Sequence, residues 1–136
     1  MIKGIAHVCL TAPDLAATER FYCSTLGFSK VFDFIRGGDV IGFYLRVAPG
    51  AYIEVFRRGE AGPSANCPIG HVCYEVGDID EVSRRLKADG HEVTDKKLGS
   101  DQSWQIWTTD PGGVKIEFHE YTAKSSQVTG RDCVLG

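Results

Sequence analysis

The sequence predicts an α+β fold made of two repeated βαβββ modules whose sheets curve around a cleft. Three observations carry this. His-Val-Cys occurs twice, at His7-Val8-Cys9 and His71-Val72-Cys73, so the two histidines lie 64 positions apart. Leu26-Gly27-Phe28 meets Asp89-Gly90-His91, and Tyr52-Ile53-Glu54-Val55-Phe56 meets Lys115-Ile116-Glu117-Phe118-His119, at a shift of 63. Around these matches the hydrophobic period changes from two to about 3.6 and back in the same order in each half.

Each half opens with an alternating strand. Ile5 to Leu10 puts His7, Cys9 and Thr11 on one face and Ala6, Val8 and Leu10 on the other. Pro13-Asp14 then starts a helix, with Asp14 as N-cap, Leu15, Tyr22 and Leu26 as apolar stripe and Gly27 as left-handed stop. The second half repeats this with Asp78 as cap, Ile79, Val82 and Leu86 as stripe and Gly90 as stop. Asp80 and Glu81 lie early and Arg84, Arg85 and Lys87 late, which suits the helix dipole.

Strand-like runs follow at Lys30 to Ile35, Val40 to Val47 and Ala51 to Arg57, and again at Glu92 to Thr94, Trp104 to Thr109 and Val114 to Tyr121. Ala48-Pro49-Gly50 and the four residues Asp110-Pro111-Gly112-Gly113 are the expected hairpin turns. The predicted modules are 1–58 and 69–121, joined by a linker at 59–68 and followed by a polar, mobile tail at 122–136, all within one structural domain.

Composition sets outer limits. A chain of 136 residues buries about two thirds of its unfolded surface without disulfides. Net charge is −3, and no basic stretch exceeds Arg57-Arg58 or Lys96-Lys97, which argues against nucleic-acid binding. No segment reads as a membrane span or signal peptide. Five cysteines without knuckle or redox spacing point to free thiols in the cytoplasm.

Alternation places Tyr52, Glu54, Phe56 and Arg58 on one face and Lys115, Glu117, His119 and Tyr121 on the equivalent face. His7, Glu54, His71 and Glu117 therefore all lie away from the helices, as candidate ligands of one divalent metal. Two neutral imidazoles and two carboxylates suit nickel, cobalt, zinc, iron or manganese, and the donor set alone does not choose among them. Under a four-residue turn, Trp104, Ile106 and Thr108 share the face of Glu117. Trp104 is then a pocket wall, and Trp107 packs beneath a helix. His119 is expected to be an exposed strand histidine, Cys9 and Cys73 packing residues, and His91 without a catalytic part. Tyr44 and Phe43 remain alternatives for the wall in the first half.

With His7, Phe21-Tyr22, Leu26-Gly27-Phe28, Tyr52-Ile53-Glu54, Gly70-His71-Val72 and Asp110 to Glu117 in place, residues 3–121 resemble the vicinal oxygen chelate superfamily, and within it the short glyoxalase I-like proteins. The resemblance implies paired βαβββ half-barrels around a metal held by His7, Glu54, His71 and Glu117. It further implies a homodimer whose sites are shared between chains, and lactoylglutathione lyase or isomerase chemistry with Glu117 as base and Glu54 as ligand and second acid or base. Glutathione-using members commonly carry arginine four residues beyond the first histidine, where this chain has Thr11; Arg58 is a candidate for supplying charge instead. The alternatives are an epimerase, an extradiol dioxygenase or antibiotic-modifying enzyme, and a non-catalytic drug- or metabolite-binding member. The last three lose ground because all four ligand positions are kept.

Overall fold

The computed structural model describes residues 4–57, 69 and 71–135. Arg58 and the expected linker lie outside the described residues. The chain divides into two compact units, one of residues up to 65 with 110–114, the other of residues 66–109 with 115–136. Each follows the predicted βαβββ order.

The first unit runs β1 (His7–Ala12), α1 (Leu15–Glu19) continuing as a π-helical turn (Arg20–Thr25), β2 (Ser29–Arg36), β3 (Asp39–Ala48) and β4 (Ala51–Arg57). Its sheet has the order β1-β4-β3-β2, with β1 parallel to β4 and the other pairs antiparallel. Asp14 caps the helix by accepting from Ala17 N at 2.9 Å, and Gly27 stops it at φ +79°. The buried stripe is Thr18, Phe21, Tyr22 and Thr25 rather than Leu15, Tyr22 and Leu26, since Leu15 and Leu26 are only half-buried. Thr18 can lie against the sheet because its hydroxyl donates to Asp14 O at 2.7 Å. These residues pack with Phe43, Leu45, Ile53 and Val55, all buried.

The second unit runs β5 (Val72–Glu75), α2 (Ile79–Ala88), β6 (Lys97–Leu98), β7 (Trp104–Thr109), β8 (Lys115–Glu120) and α3 (Ser126–Thr129). Its sheet, β5-β8-β7-β6, repeats the pattern of the first, including the parallel outer pair. Asp78 caps α2 through Glu81 N at 2.9 Å, and Gly90 follows at φ +82°. Tyr74, Ile79, Leu86, Ile106, Ile116 and Phe118 form the core.

Two predicted features come out differently. The strand expected at Glu92 to Thr94 is irregular: Thr94 N donates to Trp107 O of β7 at 2.9 Å, but the regular ladder begins only at Lys97. Hydroxyls take over part of the ladder there. Thr94 Oγ1 accepts from Trp107 N at 2.9 Å, and Thr108 Oγ1 donates to Glu92 O at 2.6 Å.

The second hairpin turn has five residues, Asp110 to Val114, because Thr109 pairs with Lys115. Asp110 organises it: Oδ1 accepts from Gly112 N at 2.9 Å and Val114 N at 2.7 Å, and Oδ2 accepts from Tyr22 Oη at 2.8 Å. This turn groups with the first unit, so the unit boundary departs from the repeat boundary. A Cβ on Gly112 would meet Thr11 O at 2.9 Å, so the turn needs a residue without a side chain there.

The segment from Thr122, expected as a tail, begins with ordered contacts. Ser125 is buried, its hydroxyl accepting from Ser103 Oγ at 2.9 Å and from Thr122 N at 2.8 Å. No helix among the described residues is long and apolar enough to cross a membrane.

Candidate functional site

Parallel pairing of each unit's first and last strands sets the candidate ligands side by side. In the first unit Cys9 pairs with Glu54 and His7 with Tyr52; in the second Cys73 pairs with Glu117. Paired residues share a face, so each histidine sits two residues before a cysteine that stands directly across from a glutamate. His7 Nε2 lies 3.4 Å from Glu54 Oε1, and His71 Nε2 lies 3.1 Å from Glu117 Oε2. Each unit thus brings one histidine and one glutamate together. These nitrogen and oxygen donors, with half-exposed imidazoles beside carboxylates, fit a divalent ion.

The surroundings of the two carboxylates differ. Beside Glu54, Tyr44 stands directly across on β3, its hydroxyl 3.4 Å from His7 Nδ1. This answers the alternative between Tyr44 and Phe43, since Phe43 is in the core. The Tyr44 ring stacks on Phe32 at 4.9 Å and on Tyr52 at 5.4 Å, and Phe34 meets Phe56 at 4.5 Å. Gly42 lies between those last two in the strand pairing, where a Cβ would meet Phe56 Cδ1 at 2.9 Å and come closer still to Val55 O.

Beside Glu117 a second imidazole joins the first. His119 Nε2 lies 2.9 Å from Glu117 Oε1, so imidazoles touch both carboxylate oxygens. His119 is mostly buried, against the expectation of an exposed strand residue. Its Nδ1 lies 3.9 Å from Asp101 Oδ2. Asp101 accepts from Gln127 Nε2 at 2.7 Å and Ser103 N at 3.1 Å. Burial works to raise the Asp101 pKa, yet those hydrogen bonds and the nearby His119 bring it below the ordinary carboxylate value. The signal for His119 was present in the alternation, which put it on the face of Glu117 where the first half has Phe56.

The thiols are held in the protonated form. Burial, then the hydrogen bond and charge of Glu54, raise the Cys9 pKa. Burial and the charge of Glu117 push Cys73 up to about 12.

The five-residue turn reverses the expected roles of the tryptophans. Trp107 pairs with Glu117, and Trp104 pairs with Glu120 on the other face. One extra turn residue changes the parity of every β7 side chain. Trp104 lies under Lys96 Nζ, 4.9 Å from its ring, and Lys96 is tied to Asp80 of α2; Trp104 is therefore corrected from pocket wall to helix-side residue. Trp107 meets the His71 ring at 4.8 Å and borders a cavity of about 980 Å³ that Lys87, His91, Thr94 and Lys115 also line. Thr11 shares the face of His7 and pairs with Phe56.

A family model described as Glyoxalase/Bleomycin resistance protein/Dioxygenase superfamily matches residues 4–118. The chain belongs to that superfamily. Its members typically use a metal ion, bind small molecules and often dimerise. The uncharacterised protein YaeR of Escherichia coli (strain K12) is 29% identical over 135 residues, covering 88% of this chain and 97% of that protein. An ethylmalonyl-CoA/methylmalonyl-CoA epimerase of Cereibacter sphaeroides is 33% identical over 101 residues, covering 68% of this chain and 75% of the epimerase. A solved glyoxalase family protein from Enterococcus faecalis superposes with TM-score 0.74 at 27% identity, covering 87% of this chain and 98% of that one. The glyoxalase superfamily fold accounts for both βαβββ units.

Proposed function

We propose that this glyoxalase superfamily member is a divalent-metal-dependent lyase or isomerase of lactoylglutathione lyase type, moving a proton on a small substrate held through two neighbouring oxygens. The supporting observation is the repeated half-site, His7 beside Glu54 and His71 beside Glu117, at matching strand registers. In this reading His7, Glu54, His71 and Glu117 are the ligands, and the complete set assembles across a homodimer. A mass measurement in solution that finds only monomer removes the shared-site version.

When bound, a divalent ion supplies the charge that acidifies the carbon beside a coordinated substrate oxygen. Glu117 takes that proton and returns it to the adjacent carbon, with Glu54 as ligand and second acid or base. Contacts from His71 and His119 to opposite oxygens of Glu117 restrict its carboxylate to one orientation, which favours proton transfer along a fixed line. Trp107, whose ring meets that of His71, takes the apolar part of the substrate.

Thr11 is neutral and cannot form the bidentate pair that an arginine makes with a glutathione carboxylate. That weakens a glutathione hemithioacetal as substrate and favours a second reading, epimerisation at the carbon next to an acyl-CoA thioester. The 33% identity to the Cereibacter sphaeroides epimerase supports it, and it begins with the same proton removal but returns a proton to the opposite face of the same carbon, the task of the second acid or base.

The test is made on metal-stripped protein reconstituted separately with nickel, cobalt, zinc and manganese. It is offered methylglyoxal with glutathione, and methylmalonyl-CoA in deuterated water. Thioester formation from the first pair identifies a glyoxalase I, and solvent exchange at the second substrate alone identifies an epimerase. Neither reaction from protein that holds metal rejects both.

A further inference from the structure

We infer that the second unit carries a metal seat of its own, made by Cys73, Glu117 and His119, which binds a sulfur-seeking divalent ion such as zinc or cobalt whether or not His7 and Glu54 take part. This rests on the proposed function only through Glu117.

One donor atom from each of these three residues lies within 4.8 Å of the other two. Donors 2.0–2.3 Å from a tetrahedral ion stand about 3.3–3.8 Å from one another. Shifts of an ångström or so in side chains close the gap, with no change in strand register, because Cys73 and Glu117 already pair across β5 and β8.

His119 has the marks of a ligand in waiting. Its Nε2 is buried and, although close to Glu117, makes no well-aligned hydrogen bond. Its other nitrogen faces Asp101, whose carboxylate is fixed by Gln127 and Ser103. A histidine backed by a carboxylate is the usual arrangement behind a bound metal, where the outer partner sets the tautomer and ring orientation.

Charge and access agree. One thiolate and one carboxylate neutralise a divalent cation while imidazole stays neutral, and binding releases the thiol proton to solvent. Cys73 is exposed, which gives an ion a way in. Sulfur among the donors selects zinc or cobalt over manganese or magnesium.

The first unit serves as an internal control. Cys9 pairs with Glu54 in the same register, but Phe56 occupies the position of His119, so the third donor is missing.

Cobalt(II) titration of the full-length, metal-stripped protein tests this, read by thiolate-to-cobalt charge-transfer absorption. Wild type should show the band at one cobalt per chain, and both His7→Ala and Cys9→Ser should retain it. Cys73→Ser should lose the band and bind cobalt at least about tenfold more weakly, and His119→Gln should weaken binding by a similar factor while keeping the band. If Cys73→Ser does not fold, the wild-type band and its fate in His7→Ala and Cys9→Ser decide. Cobalt bound without a thiolate band overturns the inference and leaves the four-ligand reading standing; a band lost in His7→Ala or Cys9→Ser, or kept in Cys73→Ser, overturns it as well. No cobalt bound at all overturns both.

Discussion

Glu54 and Glu117 occupy equivalent registers in the two units, each beside a histidine, across from a cysteine on one neighbouring strand and from an aromatic ring on the other, yet Glu54 has Phe56 two positions on where Glu117 has His119. Tyr44 and Trp107 are the rings directly across from the two carboxylates, and Tyr44 stacks with Tyr52 and Phe32, whereas only Glu117 has a second imidazole, His119, against its other oxygen. The backbone of the repeat has been kept while the side chains have diverged. The lesson is that a duplicated half-site can be specialised at single strand positions, here Phe56 against His119, without altering pairing or helix packing. On the proposed reading, Phe56 leaves the first half with more ring surface, where His119 gives the second another nitrogen beside its carboxylate.

The largest expected effect tests that division directly. Glu117→Gln should lower turnover by about 10²- to 10⁴-fold with an unchanged circular dichroism spectrum, and Glu54→Gln should cost clearly less. Equal losses would erase the functional difference between the halves.

Gly42→Ala attacks the aromatic half. Its new methyl would run into Val55 O and the Phe56 ring, so thermal unfolding should show a loss of about 1–3 kcal/mol. A melting temperature equal to wild type would mean that the Phe34 and Phe56 contact does not depend on the missing side chain.

A smaller effect separates the tryptophans. Trp107→Ala should raise KM severalfold once a substrate is in hand, because Trp107 shares the face of Glu117, whereas Trp104→Phe should leave KM within about twofold. The reverse ranking would restore the four-residue turn.

The smallest effect lies in the pH dependence of stability. Burial raises the Asp110 pKa, outweighing its hydrogen bonds from Val114, Tyr22 and Gly112, so the folded state holds that proton more tightly than the unfolded one. Asp110 therefore lowers stability as pH rises from its unfolded pKa through the higher folded value. Asp101 in the second unit is shifted downward, so its contribution is present above its unfolded pKa and is lost as pH falls through the folded one. Urea midpoints of Asp110→Asn and Asp101→Asn across the acid range should depart from wild type with opposite slopes. Slopes of the same sign would contradict the opposed environments.

Much of this was legible because local rules and the fold agree. Asp14 and Asp78 cap their helices as expected, and Gly27 and Gly90 end them. The ligand candidates share their faces because alternation within a strand is independent of its neighbours. Faces across a hairpin are different, since they depend on turn length. Asp110 accepts from both Gly112 N and Val114 N, a pattern that adds a fifth residue and moves Trp107 to where Trp104 was expected. The late start of β6 was hidden for a related reason: Thr94 and Thr108 replace ladder bonds with hydroxyl bonds, which hydrophobic periodicity does not register. His119 was seen at the right position but weighed alone, whereas its neighbour Asp101 comes from a loop before β7 that strand alternation does not place.

The Asp110 turn has a consequence for how the protein can be divided. The repeat invites a cut in the linker between the modules, but the first unit's Tyr22 finds its carboxylate partner 88 positions downstream. A fragment ending at the linker would keep every strand of its sheet and still lose the carboxylate to which the buried Tyr22 hydroxyl donates. The sequence repeat and the compact unit are therefore not the same stretch of chain, and the protein is best treated as inseparable at the seam its sequence suggests.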